Sequence, residues 1–336
     1  MSEGYEGAIS ELNNFRALHY VPLNTFQATL RSRIDKLGIK NAIVAQRIKR
    51  LPTILYKLNR FPTMNLNQMQ DIGGIRAIVP SINDLNRLCD CYISNPSRIK
   101  HQIVRHDDYV SSPKESGYRG HHIVFKYQSD RDDRTSYNGL HLEMQLRTYL
   151  QHIWATAVET CETFLGEKLK SSQGNKEWLE FFAMVSSAFA LTEGCPPLKI
   201  HADWSKKTLY NQIYESASKL SVLKTIANFR VKKIGNMERR PQHAKTLALL
   251  YMDPSNKTYK EETFAKHQFS EAYQRYEQQE KDNLQNSVSQ VVLVQIDGGN
   301  NAKNVNQAYP NYHANLSDFK RALNKIMAVV QAYGAP

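Results

Sequence analysis

Glu143, Gln145 and Arg147 stand two residues apart in the run Leu140-His141-Leu142-Glu143-Met144-Gln145-Leu146-Arg147-Thr148. The alternation is strict. Leu140, Leu142, Met144 and Leu146 fall on one face of an extended strand, and His141, Glu143, Gln145 and Arg147 on the other. A carboxylate, an amide and a guanidinium in one row make a floor suited to a phosphorylated ligand. The row follows a strand-like run, His122 to Tyr127, and a hydrophilic turn, Ser129 to Gly139. Before these lies a polar loop, Asp108 to His122, punctuated by Pro113, Gly117 and Gly120. Periodicity alone also describes an ordinary hairpin with one wet face.

Two further groups carry charge at chemically useful spacing. In Gln46-Arg47-Ile48-Lys49-Arg50-Leu51-Pro52-Thr53-Ile54-Leu55-Tyr56-Lys57-Leu58, Pro52 suits the first turn of a helix, and Thr53 and Lys57 then share one helical face. A helix N-terminus preceded by Arg and Lys is a natural phosphate site, since free backbone N–H groups add to the side-chain charge. In Asp71-Ile72-Gly73-Gly74-Ile75-Arg76, an acid sits at the mouth of a strand, and the glycine pair permits close approach of backbone or ligand. A capping Asp and a surface Arg are the structural alternative there.

The wording of these three groups resembles the synthetase domain of the RelA/SpoT family. Tyr109-x-x-x-Pro113-Lys114-x-x-Gly117-Tyr118-x-x-x-His122 is similar to Y-x-x-x-P-K-x-N-G-Y-x-S-L-H, and Glu143-x-Gln145-x-Arg147-Thr148 to E-x-Q-x-R-T. Arg47 to Lys57 is similar to R-x-K-x-x-x-S-I-x-x-K, with Thr53 in the Ser position, and Asp71 to Ile78 to D-x-x-G-x-R-x-I. Ser116 replaces the family's Asn, and Gly120-His121 replaces Ser-Leu. The resemblance implies transfer of pyrophosphate from ATP to a ribose 3′-hydroxyl, with Mg²⁺. It implies that Arg47 packs on the adenine. Lys49, Thr53, Lys57, Arg76, Gln145 and Arg147 would bind ATP. Asp71 and Glu143 would hold the metal, with Glu143 also the base. Tyr118 would stack on the acceptor, assisted by Lys114, Ser116, Arg119 and His122. Further acceptor contacts are expected from Arg31, Arg33 and Lys36, which a solvated helix face would equally explain.

The elements that must position these residues read as a mixed α/β (α+β) domain, which the resemblance refines to a mixed-sheet nucleotidyltransferase/pyrophosphokinase fold. Helices are expected over Leu12–Leu37, broken near Val21-Pro22, and over Ile82–Ser94, Tyr149–Leu165, Lys176–Thr192 and Ser205–Val231, the last running into a basic patch that includes Arg239-Arg240. Strands are expected over Ile75–Val79 and Arg98–His106. The pattern resets near Gly235, giving domains 1–236 and 237–336, the second a β-β-α-β-α module with a loop at 297–308 and a closing helix, Leu316–Tyr333. This layout, with Tyr309-Pro310-Asn311-Tyr312, resembles the CapRel type of fused toxin–antitoxin. That resemblance implies a tRNA 3′-terminal adenosine as acceptor, inhibition of translation, a phage capsid protein as trigger, and Tyr309 and Tyr312 as the autoinhibitory turn. A guanosine-nucleotide alarmone synthetase, or a non-catalytic tRNA-binding or phage-sensing module, are the rival readings.

Composition sets the bounds. The 336 residues are 41% apolar and carry a net charge of +12. That excess of cations suits a polyanionic partner as well as plain solubility. No apolar run reaches about 18 residues, so no membrane contact is expected. Cys89, Cys91, Cys161 and Cys195 form no CxxC pair and no ligand-spaced set with histidine, so they are expected reduced and structural, in a cytoplasmic protein.

Overall fold

The computed structural model describes residues 3–94, 99–167, 169, 173–235, 246–286, 289–296 and 301–332. Two helices, α1 (Glu3–Leu18) and α2 (Tyr20–Lys36), open the chain and break at His19. Pro22 falls in the first turn of α2, where a missing N–H is harmless. Then come β1 (Ile43–Ile48), α3 (Leu51–Arg60), β2 (Gly73–Val79), α4 (Ile82–Ile93), β3 (Gln102–Asp108), β4 (His121–Lys126) and β5 (His141–Thr148). The strand β1 was not expected: Ile43-Val44-Ala45 shows no alternation, because the strand is buried on both faces.

The chain continues through α5 (Tyr149–Leu165), α6 (Lys176–Thr192), α7 (Lys206–Lys219), α8 (Val222–Ala227) and β6 (Lys232–Lys233). The single long helix expected over Ser205–Val231 is two, since Ser221 takes a left-handed φ of 49° between them. The remainder is β7 (Thr246–Asp253), β8 (Thr258–Ala265), α9 (Phe269–Asn286), β9 (Gln290–Ile296), α10 (Asn301–Ala308) and α11 (Ser317–Ala332). Within the loop expected at 297–308, residues 301–308 form the helix α10. The fold class is the expected one, a mixed α/β architecture around a mixed sheet, in the order β3-β4-β5-β2-β1-β9-β7-β8-β6.

The chain forms two compact units. One comprises Met1–Asp107, His121–Leu146 and Lys233–Ala308; the other comprises Asp108–Gly120, Arg147–Lys232 and Tyr309–Pro336. The boundary expected between residues 236 and 237, like Arg239-Arg240, lies outside the described residues. The units do not follow that boundary. β9 pairs with β1, Ala45 opposite Ile296 and Arg47 opposite Val294, so the C-terminal strands extend the first unit's sheet instead of closing a separate one.

In the second unit, α5, α6, α7, α8 and α11 enclose Trp154, Phe181, Phe182, Phe189 and Phe319. Thr148 starts α5 with a reciprocal cap: its hydroxyl accepts from the Gln151 N–H, and the Gln151 side chain accepts from the Thr148 N–H.

Two buried polar groups lock the first unit. The Gln295 amide carbonyl accepts from Tyr20 Oη (3.1 Å) and Gln46 (3.3 Å), and its NH₂ donates to Gln27 (2.7 Å), which fixes the β9–β1 register. Glu280 on α9 forms an ion pair with Arg16 Nη2 (2.7 Å) and accepts from the Leu51 N–H (2.8 Å), while Arg16 Nε donates to the Lys49 carbonyl (3.0 Å). Both side chains are almost wholly buried. Removing one partner of such a pair typically costs about 3–5 kcal/mol, whereas replacing both by apolar groups is often neutral. Glu280→Ala should therefore lose roughly that much in urea unfolding, and Arg16→Met/Glu280→Leu should regain most of it.

Candidate active site

The first unit holds six of the seven residues expected to bind ATP, and Arg47, Arg76 and Gln145 lie on one face of its sheet. β1 and β2 pair with Arg47 opposite Gly74 and Ala45 opposite Arg76, so Arg47 and Arg76 share a face. β4 and β5 pair with His122 opposite Gln145 and Val124 opposite Glu143. Arg76 donates to the Gln145 carbonyl at 3.3 Å, which joins the two pairs of strands into one surface. The apolar alternates Leu142, Met144 and Leu146 are fully buried beneath it, as the alternation required. Gly73 has to be glycine: a Cβ there would lie 2.5 Å from Leu142 Cδ2 and 3.2 Å from His19 Cβ. The close approach it permits is to neighbouring protein.

Glu143 is the most tightly held group of this face. His122 Nδ1 donates to one carboxylate oxygen at 2.7 Å and Gln145 Nε2 to the other at 2.7 Å. Burial alone would raise this carboxyl, but His122 by hydrogen bond and charge, then Gln145 and Lys49, bring it down to about 2. Asp71 receives Lys49 at 2.5 Å and Lys57 at 3.1 Å. Its burial likewise acts upward and is outweighed by the two ammonium groups, so it too lies below the ordinary carboxylate range; the negative charge of Glu143 opposes that shift. Lys49 is lowered, because its burial outweighs the attraction of Asp71. Two ionised carboxylates that repel one another, with oxygen donors only, form a set that fits Mg²⁺.

The N-terminus of α3 departs from expectation. The Leu51 N–H is taken by Glu280, Pro52 has none, and the Thr53 N–H donates to the Arg50 carbonyl at 3.1 Å. This helix end is already capped, so any phosphate held here is held by the side chains of Lys49, Thr53 and Lys57.

In the second unit, Arg147 donates through Nε and Nη2 to the Tyr118 hydroxyl at 3.1 and 2.6 Å, and its guanidinium also lies 4.9 Å from that ring's centroid. Lys114 Nζ lies 4.5 Å from the Tyr109 ring and 5.4 Å from the Tyr118 ring. Lys114 is exposed and Ser116 half-exposed, at the tip of the loop. Gly117, with φ +95°, turns that loop where a Cβ would meet Ser186 at 2.8 Å.

Several expected acceptor residues have other tasks. Arg119 is buried, donating to the carbonyls of Val110 (3.0 Å) and Pro196 (2.8 Å) and to Ser186 Oγ (3.3 Å), so it braces the loop. Arg31 donates to the Val44 carbonyl at 3.3 Å, and Arg33 to the Cys91 carbonyl with its guanidinium 4.1 Å from the Tyr92 ring centroid. Only Lys36 of that trio is exposed. His122, expected at the acceptor, is instead the partner of Glu143, a role that the opposed register of β4 and β5 creates. Tyr309 and Tyr312 are both buried.

All residues expected at the donor and catalytic positions fall in one stretch of chain. Residues 46–162 match the region found in RelA / SpoT proteins. Within it the chain is 30% identical over 115 residues to the GTP pyrophosphokinase YjbM of Bacillus subtilis (strain 168), a match covering 34% of this chain and 52% of that protein. It is 28% identical over 115 residues to YwaC of the same organism, also named a GTP pyrophosphokinase, covering 33% and 52%. The match thus spans about half the length of these relatives. Among solved structures, the small alarmone synthetase 1 from Bacillus subtilis is similar with a TM-score of 0.45 and 22% identity, over 54% of this chain and 91% of that one. No helix among the described residues is long and apolar enough to cross a membrane.

The ionisation of Glu143 can be read from stability. A carboxyl whose folded pKa is depressed stabilises the fold above its unfolded value, and that contribution is lost as pH falls through the folded value. The stability advantage of wild type over Glu143→Gln should therefore shrink as pH falls from about 6 to about 3, followed by urea unfolding. A difference constant across that range would contradict a depressed Glu143.

Proposed function

We propose that this protein is an ATP-dependent pyrophosphokinase whose acceptor is the 3′-hydroxyl of the tRNA terminal adenosine, and that its C-terminal segment restrains it. The observation that carries the catalytic reading is the Glu143 carboxylate, ionised and oriented by His122 and Gln145 on the face that also holds Arg76 and the Asp71–Lys49–Lys57 group. Attack of the hydroxyl on the β-phosphorus of ATP releases AMP. Such transfers are catalysed mainly by positioning and by charge on the phosphoryl oxygens. Lys49, Lys57 and Arg76 supply that charge, Thr53 a hydroxyl, and Arg47 a flat cation for the adenine. Asp71 and Glu143 would hold Mg²⁺, which when bound neutralises developing phosphate charge. A carboxyl as acidic as Glu143 is a weak proton acceptor, so its chief work is ligation and orientation.

For the acceptor, Lys114, Ser116 and Tyr118 remain the candidates. Stacking of a base on a tyrosine is typically worth about 1–3 kcal/mol and accepts any base. The net charge of +12 and Ser116 in place of the family's Asn favour tRNA. A guanosine nucleotide is the second reading, favoured by the names of the two relatives. Purified protein given γ-labelled ATP with bulk tRNA, GDP or GTP should label tRNA, with an apparent KM that climbs steeply with salt. Label on GDP or GTP alone would reject the tRNA acceptor. Glu143→Gln and Asp71→Asn should each lower transfer by at least about 10²-fold, through lost charge stabilisation and orientation.

Restraint is supported at Arg76, whose Nη1 donates to the carbonyl of Ala308 at 3.4 Å, the last residue of α10. A guanidinium assigned to ATP phosphate is thus engaged by the segment that leads into Tyr309-Pro310-Asn311-Tyr312. A phage capsid protein is the proposed trigger that releases it. Tyr309→Ala should leave a folded protein that arrests growth without a trigger, and adding Glu143→Gln should abolish the arrest. If the ring serves only the core, Tyr309→Ala should instead lose stability, by about 3–5 kcal/mol for an aromatic truncation, and stay silent.

A further inference from the structure

Cys89 on α4, His106 on β3 and His121 on β4 are far apart in sequence, yet each brings one ligand atom within 4.8 Å of the others. Cys89 Sγ lies 3.8 Å from His106 Nε2, which lies 3.2 Å from His121 Nδ1. Cys89 and His121 are buried and His106 is half-buried. The expectation that no cysteine forms a ligand-spaced set with histidine is therefore corrected: the set is made by folding, not by sequence spacing.

We propose that these three side chains bind a Zn²⁺ ion at a site separate from the catalytic face. Zinc takes thiolate at about 2.3 Å and imidazole at about 2.0–2.1 Å, and tetrahedral angles then space two nitrogens roughly 3.3 Å apart and sulfur from nitrogen roughly 3.6 Å. The observed 3.2 and 3.8 Å match that spacing. A hydrogen-bonded cluster satisfies these atoms less well. His106 Nε2 carries one proton or one lone pair and can bond to only one of the two atoms facing it, whereas a cation accepts lone pairs from all three. One thiolate with two imidazoles also selects zinc over magnesium or calcium, which take oxygen. Three protein ligands leave a fourth position for water.

The site lies behind the catalytic surface. His121 stands opposite Leu146 on the apolar face of the β4–β5 pair, and the next residue, His122, points the other way to Glu143. An ion here ties α4 to the terminal strand β3 and to β4, one residue from the group that orients Glu143.

Cobalt(II) added to tag-free, metal-stripped full-length protein tests the proposal. About one equivalent should give intense tetrahedral d–d bands and a thiolate charge-transfer band, and Zn²⁺ should displace both. Cys89→Ser should remove the charge-transfer band and weaken Zn²⁺ binding by more than about 100-fold, beyond the loss of an outer-shell partner. His106→Gln should abolish the tetrahedral spectrum. Cys91→Ser, outside the cluster, should change neither. A wild-type protein with no thiolate band, or a band that survives Cys89→Ser, would overturn the site.

Discussion

Glu280 sits almost wholly buried on α9 and has only acceptors to offer, so the first unit has to bring donors to it. It does so from two distant parts of the chain, the Arg16 guanidinium on α1 and the main-chain N–H that begins α3. Arg16 in turn holds the Lys49 carbonyl. The segment from Lys49 to Leu51, which carries one phosphate-binding candidate and launches the helix carrying two more, is fixed between the N-terminal helix and a helix from the C-terminal third. An unpaired charge in that position is so unfavourable that these elements assemble together.

The same logic runs through the candidate site. Asp71, Glu143 and Arg76 are each held before any ligand arrives: Asp71 by two ammonium groups, Glu143 by an imidazole and an amide, Arg76 by Gln145 and the end of α10. Pre-paired groups keep their orientation, and a ligand that displaces one partner gains the other already aimed. Lys49 shows the cost most plainly, since burial lowers it even beside Asp71.

Much of this was legible in the sequence where a period or a cap announced it. The β5 alternation, the limits of α5 and α6, and the order β7-β8-α9-β9 could be read directly, whereas α10 stood in what read as a loop. β1 could not, because a strand buried on both faces has no alternation, nor could the break at Ser221, where a non-glycine residue adopts a left-handed turn. Charges were harder still. Arg119, Arg31 and Arg33 read as surface cations until folding supplied carbonyls for them to bind. His122 and the Cys89–His106–His121 group depend on strand register and helix packing, which a linear spacing does not display.

β1 sits in the middle of the sheet with β2 on one side and β9 on the other. During synthesis, β1 and β2 leave the ribosome long before β9 exists, so the strand bearing Arg47 spends that interval with an open edge. The late partner then docks through buried Gln46 and Gln295, whose amides tolerate little slippage. Under the restraint proposed above, this order of events has a protective logic: the nascent chain reaches its finished sheet only when the segment proposed to restrain it is also emerging. A chain cut short before β9 would present that edge permanently, inviting strand addition by another molecule in place of the missing one.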